Sequence, residues 1–150
     1  AVAPAIALGH GGFADDEAPA DALVAVPDGA VARARVTRGG DPRVAVRVRC
    51  GTPLDEVVLR SYCVGAAHMA LGWVTSEGLA VDAEGTVHDL TIRSFGVLRA
   101  VDTPPIDVVI EPDDSPPVNG SDAVFAAVAA ATWIAQGLPT DWPTGVPVRR

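Results

Sequence analysis

Two short segments, residues 30–37 and 43–50, constrain the possible folds of this chain more than any other feature. In the second, Val44, Val46 and Val48 fall on one side while Arg47 and Arg49 fall on the other. Arg33 and Arg35 alternate in the same way along the first. Alternation with a period of two over this length specifies β-strands with one apolar face. The intervening Gly39-Gly40-Asp41-Pro42 makes the pair a hairpin. A sheet that is apolar on one side needs a second layer there, which here means helices. If the hairpin pairs about Asp41, Arg33 stands opposite Arg49 and Arg35 opposite Arg47. Like charges directly opposed are unfavourable. The arginine face is therefore either a solvated surface screened by salt or a face neutralised by a carboxylate ligand, a partner chain or the chain's own acids.

Residues 1–20 are rich in alanine, glycine and proline, carry the acidic cluster Asp15, Asp16 and Glu17, and read as a flexible N-terminal arm. Residues 21–150 read as a single domain. A short strand over residues 23–26 stops at the turn Pro27-Asp28-Gly29. Gly51-Thr52-Pro53 opens a long helix with Thr52 at the N-cap, Pro53 at the first helical position and Asp55 and Glu56 in the first turn. The spacing carries that helix to about Val74, with Leu54, Val58, Tyr62, Gly65, Met69 and Trp73 near one face. Gly65 would let another backbone or a ligand come close. A second hairpin is expected from residues 79–82 and 86–92, and a buried strand over residues 106–111. A proline-rich acidic loop over residues 112–120 then leads to a second, alanine-rich helix capped by Ser121 or Asp122 and closed by Gly137 and Pro139. Trp142 pins the irregular tail. The expected class is α/β (α+β): a twisted sheet of two hairpins plus a further strand, packed against two long helices.

The formal net charge is −8, and all 11 basic side chains are arginine. The absence of lysine excludes a Schiff-base, pyridoxal-anchoring or P-loop lysine. The acidic balance argues against a nucleic-acid surface. No apolar run reaches the ~20 residues of a membrane span, and the N-terminus lacks a basic signal-peptide region, so a cytoplasmic location is expected. Cys50 and Cys63 are too few for an iron–sulfur cluster and read as small buried hydrophobes. Three isolated histidines do not suggest zinc. His68 reads as satisfied or surface, and His88 as solvent-facing. His10, in Gly9-His10-Gly11-Gly12, either flexes over a pocket or belongs to the arm.

Residues 61–112 read SYCVGAAHMALGWVTSEGLAVDAEGTVHDLTIRSFGVLRAVDTPPIDVVIEP. A helix ending in Ala-Leu-Gly-Trp, a following Ser-Glu-Gly-Leu, an Asp-x-x-Gly turn (Asp82 to Gly85) and the run from Asp102 to Pro112 come in a fixed order. This stretch resembles the C-terminal part of the molybdopterin-binding large subunit of molybdenum hydroxylases, the xanthine dehydrogenase and aldehyde oxidase family. The resemblance covers roughly residues 30–145 and implies the same order of elements. In that family the helix begins with G-Q-x-E-G, and its glutamine lies against the molybdenum–pterin. Alignment on Ala70-Leu71-Gly72-Trp73 sets Tyr62 at the glutamine, Val64 at the glutamate and Gly65 at the second glycine. A later K-G-V-G-E loop carries the family's general base. Here the corresponding loop reads Pro117-Val118-Asn119-Gly120-Ser121-Asp122, with Ser121 at the position of the base.

A hydroxylase needs a carboxylate to activate the metal-bound hydroxide, and a serine hydroxyl is too weak a base for that. The resemblance thus implies a chain degenerate at the catalytic base that holds no molybdenum cofactor alone and is not an active hydroxylase by itself. Two classes of function follow. In one, the chain is a separately encoded or degenerate subunit of an oxidoreductase-type complex, or a homo-oligomer, and molybdopterin enters only through a larger partner. In the other, it is a stand-alone cofactor-free small-molecule binder, cyclase or isomerase, with Asp122 as acid or base and Tyr62 as hydrogen-bond donor near Ser121. The plainer reading makes Ser121 and Asp122 helix caps and Tyr62 a core residue.

Overall fold

The computed structural model describes residues 5–8, 19–39, 41–88 and 91–148. The alternating segments form strands β3 (Val31–Thr37) and β4 (Arg43–Arg49), preceded by β1 (Ala5–Leu8) and β2 (Ala20–Ala25). After helix α1 (Glu56–Thr75) come the two-residue strands β5 (Ala80–Val81) and β6 (Val87–His88). A single-turn helix α2 (Ile92–Phe95) and a 3-10 turn (Ala100–Asp102) lead into strand β7 (Ile106–Ile110) and helix α3 (Ser121–Ala135). The main sheet has the order β1-β2-β3-β4-β7; its first four strands are antiparallel neighbours, and β7 joins β4 in parallel. The α/β (α+β) class expected from the sequence is the class observed.

The inner face of the sheet is built from small residues. Val24, Ala32, Ala34, Val36, Val44, Val46 and Val48 are almost wholly buried. The helices match them with alanine: Ala66, Ala67 and Ala70 of α1 and Ala123, Ala127 and Ala131 of α3 are buried too. Short side chains on both sides bring the layers close, and α3 lies over β2 and β3 while α1 packs on α3 and β7. By length and mean hydropathy (1.3), α1 could cross a bilayer, which amends the expectation that no segment reaches that measure. Its buried face, running from Cys63 through Leu71 to Val74, makes it a core helix here.

Several details differ from expectation. The hairpin pairs Arg33 with Arg47, Arg35 with Ala45 and Thr37 with Arg43, two residues away from the register centred on Asp41. The Thr37 hydroxyl sets that end by accepting the Arg43 amide at 2.9 Å. A slip of two preserves the faces, so the alternation did not distinguish the registers. The expected second hairpin survives only as the β5–β6 ribbon, outside the main sheet and exposed throughout. Asp82 holds its turn by accepting the Glu84 and Thr86 amides. Strand β7 is an edge strand in which only Val108 is buried, rather than a buried one. Within the expected arm, Ala5–Leu8 pairs with β2; His10 and the acids at positions 15–17 lie outside the described residues.

The start of α1 also moved. Its N-cap is Asp55, whose carboxylate accepts the Val58 amide at 3.0 Å. Thr52 is engaged elsewhere: its hydroxyl donates to the Asp113 carbonyl and its amide to Ser115. The Gly51 amide donates to the Asp113 carboxylate, and the Val118 amide to the Cys50 carbonyl. The loop of residues 112–120 thereby clamps the turn between β4 and α1. Gly51 makes this possible, with φ at +79° and a position where a Cβ would lie 2.1 Å from the Pro116 carbonyl oxygen. Gly51→Ala is expected to lower the unfolding free energy by about 3 kcal/mol or more, combining backbone strain with overpacking. Gly137 has the same φ of +79° with open space around it, so Gly137→Ala should cost only about 1 kcal/mol. Urea denaturation midpoints of the two variants check the contrast.

Candidate functional site

Tyr62, Ser121 and Asp122 line neither the cleft at the end of α1 nor the hollow on the arginine face. Tyr62 is 66% exposed on the outward face of α1. Val58, Met69 and Trp73 of the same helix are also exposed, as is Leu54 just before it, so the stripe read from the sequence faces outward. Gly65 lies on it with no atom of the chain within 4 Å of where its Cβ would be. Ser121 opens α3 and donates its hydroxyl to Asn119 Oδ1 at 2.8 Å, the same oxygen that accepts the Ser121 amide at 3.0 Å. The N-cap is Gly120, so neither Ser121 nor Asp122 caps the helix. The Asn119 side chain turns back on the first turn instead. Asp122 is exposed and makes no side-chain hydrogen bond among the described residues.

The arginine face is neutralised by neighbouring strands. Asp21 of β2 sits between Arg33 (3.4 Å) and Arg35 (3.0 Å). Arg47 meets Glu111 at 3.2 Å, and Arg49 approaches Asp113 at 4.0 Å. Arg43 reaches both Asp41 and Asp107, at 3.0 and 3.6 Å. A hollow on this face, about 180 Å³, is lined by Asp21 together with Arg33, Arg35, Ala45 and Arg47. Exposed pairs of this kind each contribute little, ~0–1 kcal/mol, yet together they remove the like-charge problem without a ligand or a partner.

A cleft of about 430 Å³ at the end of α1 was not anticipated. It opens where the end of α1 (Leu71, Thr75, Ser76) meets residues 93–104 and the tail residues Gly145, Pro147 and Val148. The tail is held there by its backbone, with Thr144 and Gly145 amides donating to the Val74 and Thr75 carbonyls. Trp142 pins it as expected, 4.7 Å from Trp73 and 6.1 Å from Trp133, centroid to centroid. Nothing local in the sequence marks this cleft, because its walls lie far apart along the chain.

Beside it, His68 Nε2 meets the Leu98 carbonyl at 2.9 Å, a satisfied histidine. Glu77 packs against Gly72, and burial pushes its carboxyl pKa up, with nearby His68 opposing. A raised carboxyl destabilises the fold as pH climbs past the ordinary carboxylate value and through the shifted one. Glu77→Gln is therefore expected to raise the thermal midpoint at pH 7 and leave it unchanged below pH ~4, as read by calorimetry across that range. Cys50 and Cys63 are buried free thiols. Burial, then the neighbouring Cys50, pushes the Cys63 thiol up to about 11, against the opposing Arg60. At pH 8 a thiol-specific colorimetric reagent should find neither cysteine in the native protein and both after denaturation.

No known family model matches the chain, and no curated protein matches it. Solved structures do. A reconstituted CO dehydrogenase from Oligotropha carboxidovorans superposes with a TM-score of 0.57 at 15% identity, over 85% of this chain and 17% of that one. Quinoline 2-oxidoreductase from Pseudomonas putida 86 gives 0.54 at 20% identity, over 74% of this chain and 15% of that one. A Cu,Mo-CO dehydrogenase in its carbon monoxide reduced state gives 0.52 at 17%, over 87% and 17%. The fold is similar to that of one segment in each of these proteins. The chain spans about a sixth of the length of these proteins. Among the described residues, no group of three or more His, Cys, Asp or Glu side chains is placed to hold a metal.

Proposed function

We propose that this chain is a molybdenum-hydroxylase-like subunit of an oxidoreductase-type complex, degenerate at the catalytic base, that works only when docked on a larger partner. The observation that carries this reading is the outward face of α1. Val57 is 79% exposed, Tyr62 66%, Met69 55% and Val58 47%, and Leu54 just before the helix is 93% exposed. A run of large apolar side chains along a helix about 30 Å long is unfavourable in water and marks a surface that another protein covers. Gly65, open at the centre of the stripe, leaves space for a partner backbone to come close. The solved neighbours are consistent with the same reading, since each carries a similar fold within a much longer chain.

The residues present do not fit the molybdenum–pterin as a resident cofactor of this chain alone. Where the family resemblance sets the pterin-facing glutamine, Tyr62 stands on an open helix face. Where it sets the base, the Ser121 hydroxyl is committed to Asn119. Asp122 one residue on is exposed. The role proposed is therefore structural: packing, and one wall of a substrate passage whose chemistry the partner supplies. The second reading, a cofactor-free enzyme built on Tyr62 and Asp122, has less support, since neither residue lines the cleft at the end of α1.

Co-expression with a molybdenum-hydroxylase large chain from the same genome tests the proposal. A stable complex is expected on size exclusion, with molybdenum following the complex and absent from the isolated chain. Tyr62→Asp and Val58→Asp, on the exposed face, should break the complex at least about tenfold, since each buries an unpaired charge in the interface. Their thermal midpoints should match that of the parent. Stoichiometric molybdenum on the isolated chain, or a monomer indifferent to such partners, overturns the reading.

A further inference from the structure

We propose that the cleft between the end of α1, residues 93–104 and the tail binds a small monocarboxylic acid with an apolar body. This goes beyond the subunit role and does not rest on it, because the cleft is formed wholly by this chain. Arg93 carries the argument. Every other described arginine has an ion pair or a hydrogen bond: Arg33, Arg35, Arg43, Arg47, Arg49, Arg60 and Arg99 pair with carboxylates, and Arg38 donates to the Ala135 carbonyl. Arg93 has neither among the described residues, and it lines the cleft at the end of α1. In a chain of net charge −8, where carboxylates outnumber arginines, a guanidinium with no acidic partner among the described residues, placed at a concave site, is suited to hold an anion.

The rest of the lining narrows the class of ligand. Among the described lining residues the other charged groups are Arg99 and Asp102, and these two form an ion pair. The described lining thus carries one net positive charge, suited to a monoanion rather than to a phosphate monoester. A guanidinium meets a carboxylate in the plane with two parallel hydrogen bonds. The hydroxyls of the lining are already donating, Thr75 to the Leu71 carbonyl and Ser76 to the Gly96 carbonyl. That disfavours a sugar-like ligand. Leu71, Val97, Leu98, Pro104 and Val148 complete an apolar wall. The volume, about 430 Å³, lies within the ~300–1,000 Å³ of small-molecule sites.

Titration calorimetry of the full chain with benzoate and phenylacetate, against benzamide and phenyl phosphate, tests the assignment. The two carboxylates should bind at least about tenfold more tightly than the uncharged amide. Arg93→Gln should bring carboxylate binding down to the amide level with an unchanged thermal midpoint, because Arg93 is exposed and holds nothing in the fold. Val97→Trp, which fills the cleft from a 39% exposed position, should abolish binding of all four compounds. Equal binding of benzoate and benzamide, a preference for phenyl phosphate, unchanged carboxylate affinity in Arg93→Gln, or no binding by the parent chain overturns the proposal. Each measurement is made on the isolated chain, so its failure is separate from failure of the docking reading.

Discussion

The sheet is apolar on one face only, and that asymmetry governs the molecule. Along β3 and β4 every second residue is alanine or valine and is buried, while the intervening positions are mainly arginine and exposed. Helices can pack only on the apolar side, so both long helices must share it. Because the inner side chains are small, α3 settles over β2 and β3 and α1 is displaced towards β7. A helix at the margin of a layer buries less of its circumference than one over the centre. In α1 the buried stripe is alanine-rich, and the large side chains Tyr62, Met69 and Trp73 are left outside. The exposed face of α1 is therefore a consequence of how narrow the sheet's apolar surface is.

The polar face obeys the same economy. Five arginines on two adjacent strands would repel one another if left alone. Asp21 on β2 and Glu111 after β7 lie on the flanks of the hairpin and reach inward from both sides. Parallel addition of β7 thus does two jobs, extending the ladder and delivering acids. Asp113 joins this function to another, since it accepts from Gly51 and Ser115 while approaching Arg49. Those amide donors hold its pKa below the usual carboxylate range. One loop consequently fixes the end of β4, the approach to α1 and the start of α3.

What the sequence made legible was the periodic part. Period two located β3 and β4 with their faces, the apolar spacing located the end of α1, and the glycine–proline punctuation located the end of α3. It did not resolve features decided by distant partners. Thr52 has the chemistry of a cap, but Asp113, far along the chain, claims its hydroxyl and leaves Asp55 to cap α1. The hairpin register turned on a single Thr37 hydroxyl. The outward orientation of Leu54, Val58 and Tyr62 was invisible because an apolar stripe carries no label saying which layer will cover it. Of the candidate site, Tyr62, Ser121 and Asp122 were legible as positions in an aligned family, but not as a pocket. The cleft needed three separate segments to be seen together.

The last turn of α1 links the two surfaces. Trp73 points to the exposed face and stacks on Trp142 and Phe125. Leu71, Thr75 and Ser76, on the same turn, line the cleft. The tail bridges them: Trp142 packs on Trp73, while Gly145, Pro147 and Val148 form a cleft wall and Gln136 anchors the Val146 carbonyl at 2.7 Å. Anything that displaced Trp142 from Trp73 would also pull on the strand of tail that closes the cleft. Since α1 itself is a rigid core element, a body docked on its outer face would act on the cleft mainly through this aromatic contact. The coupling, where it operates, therefore runs through the tail rather than through the sheet, whose packed valines leave no room for a second arrangement.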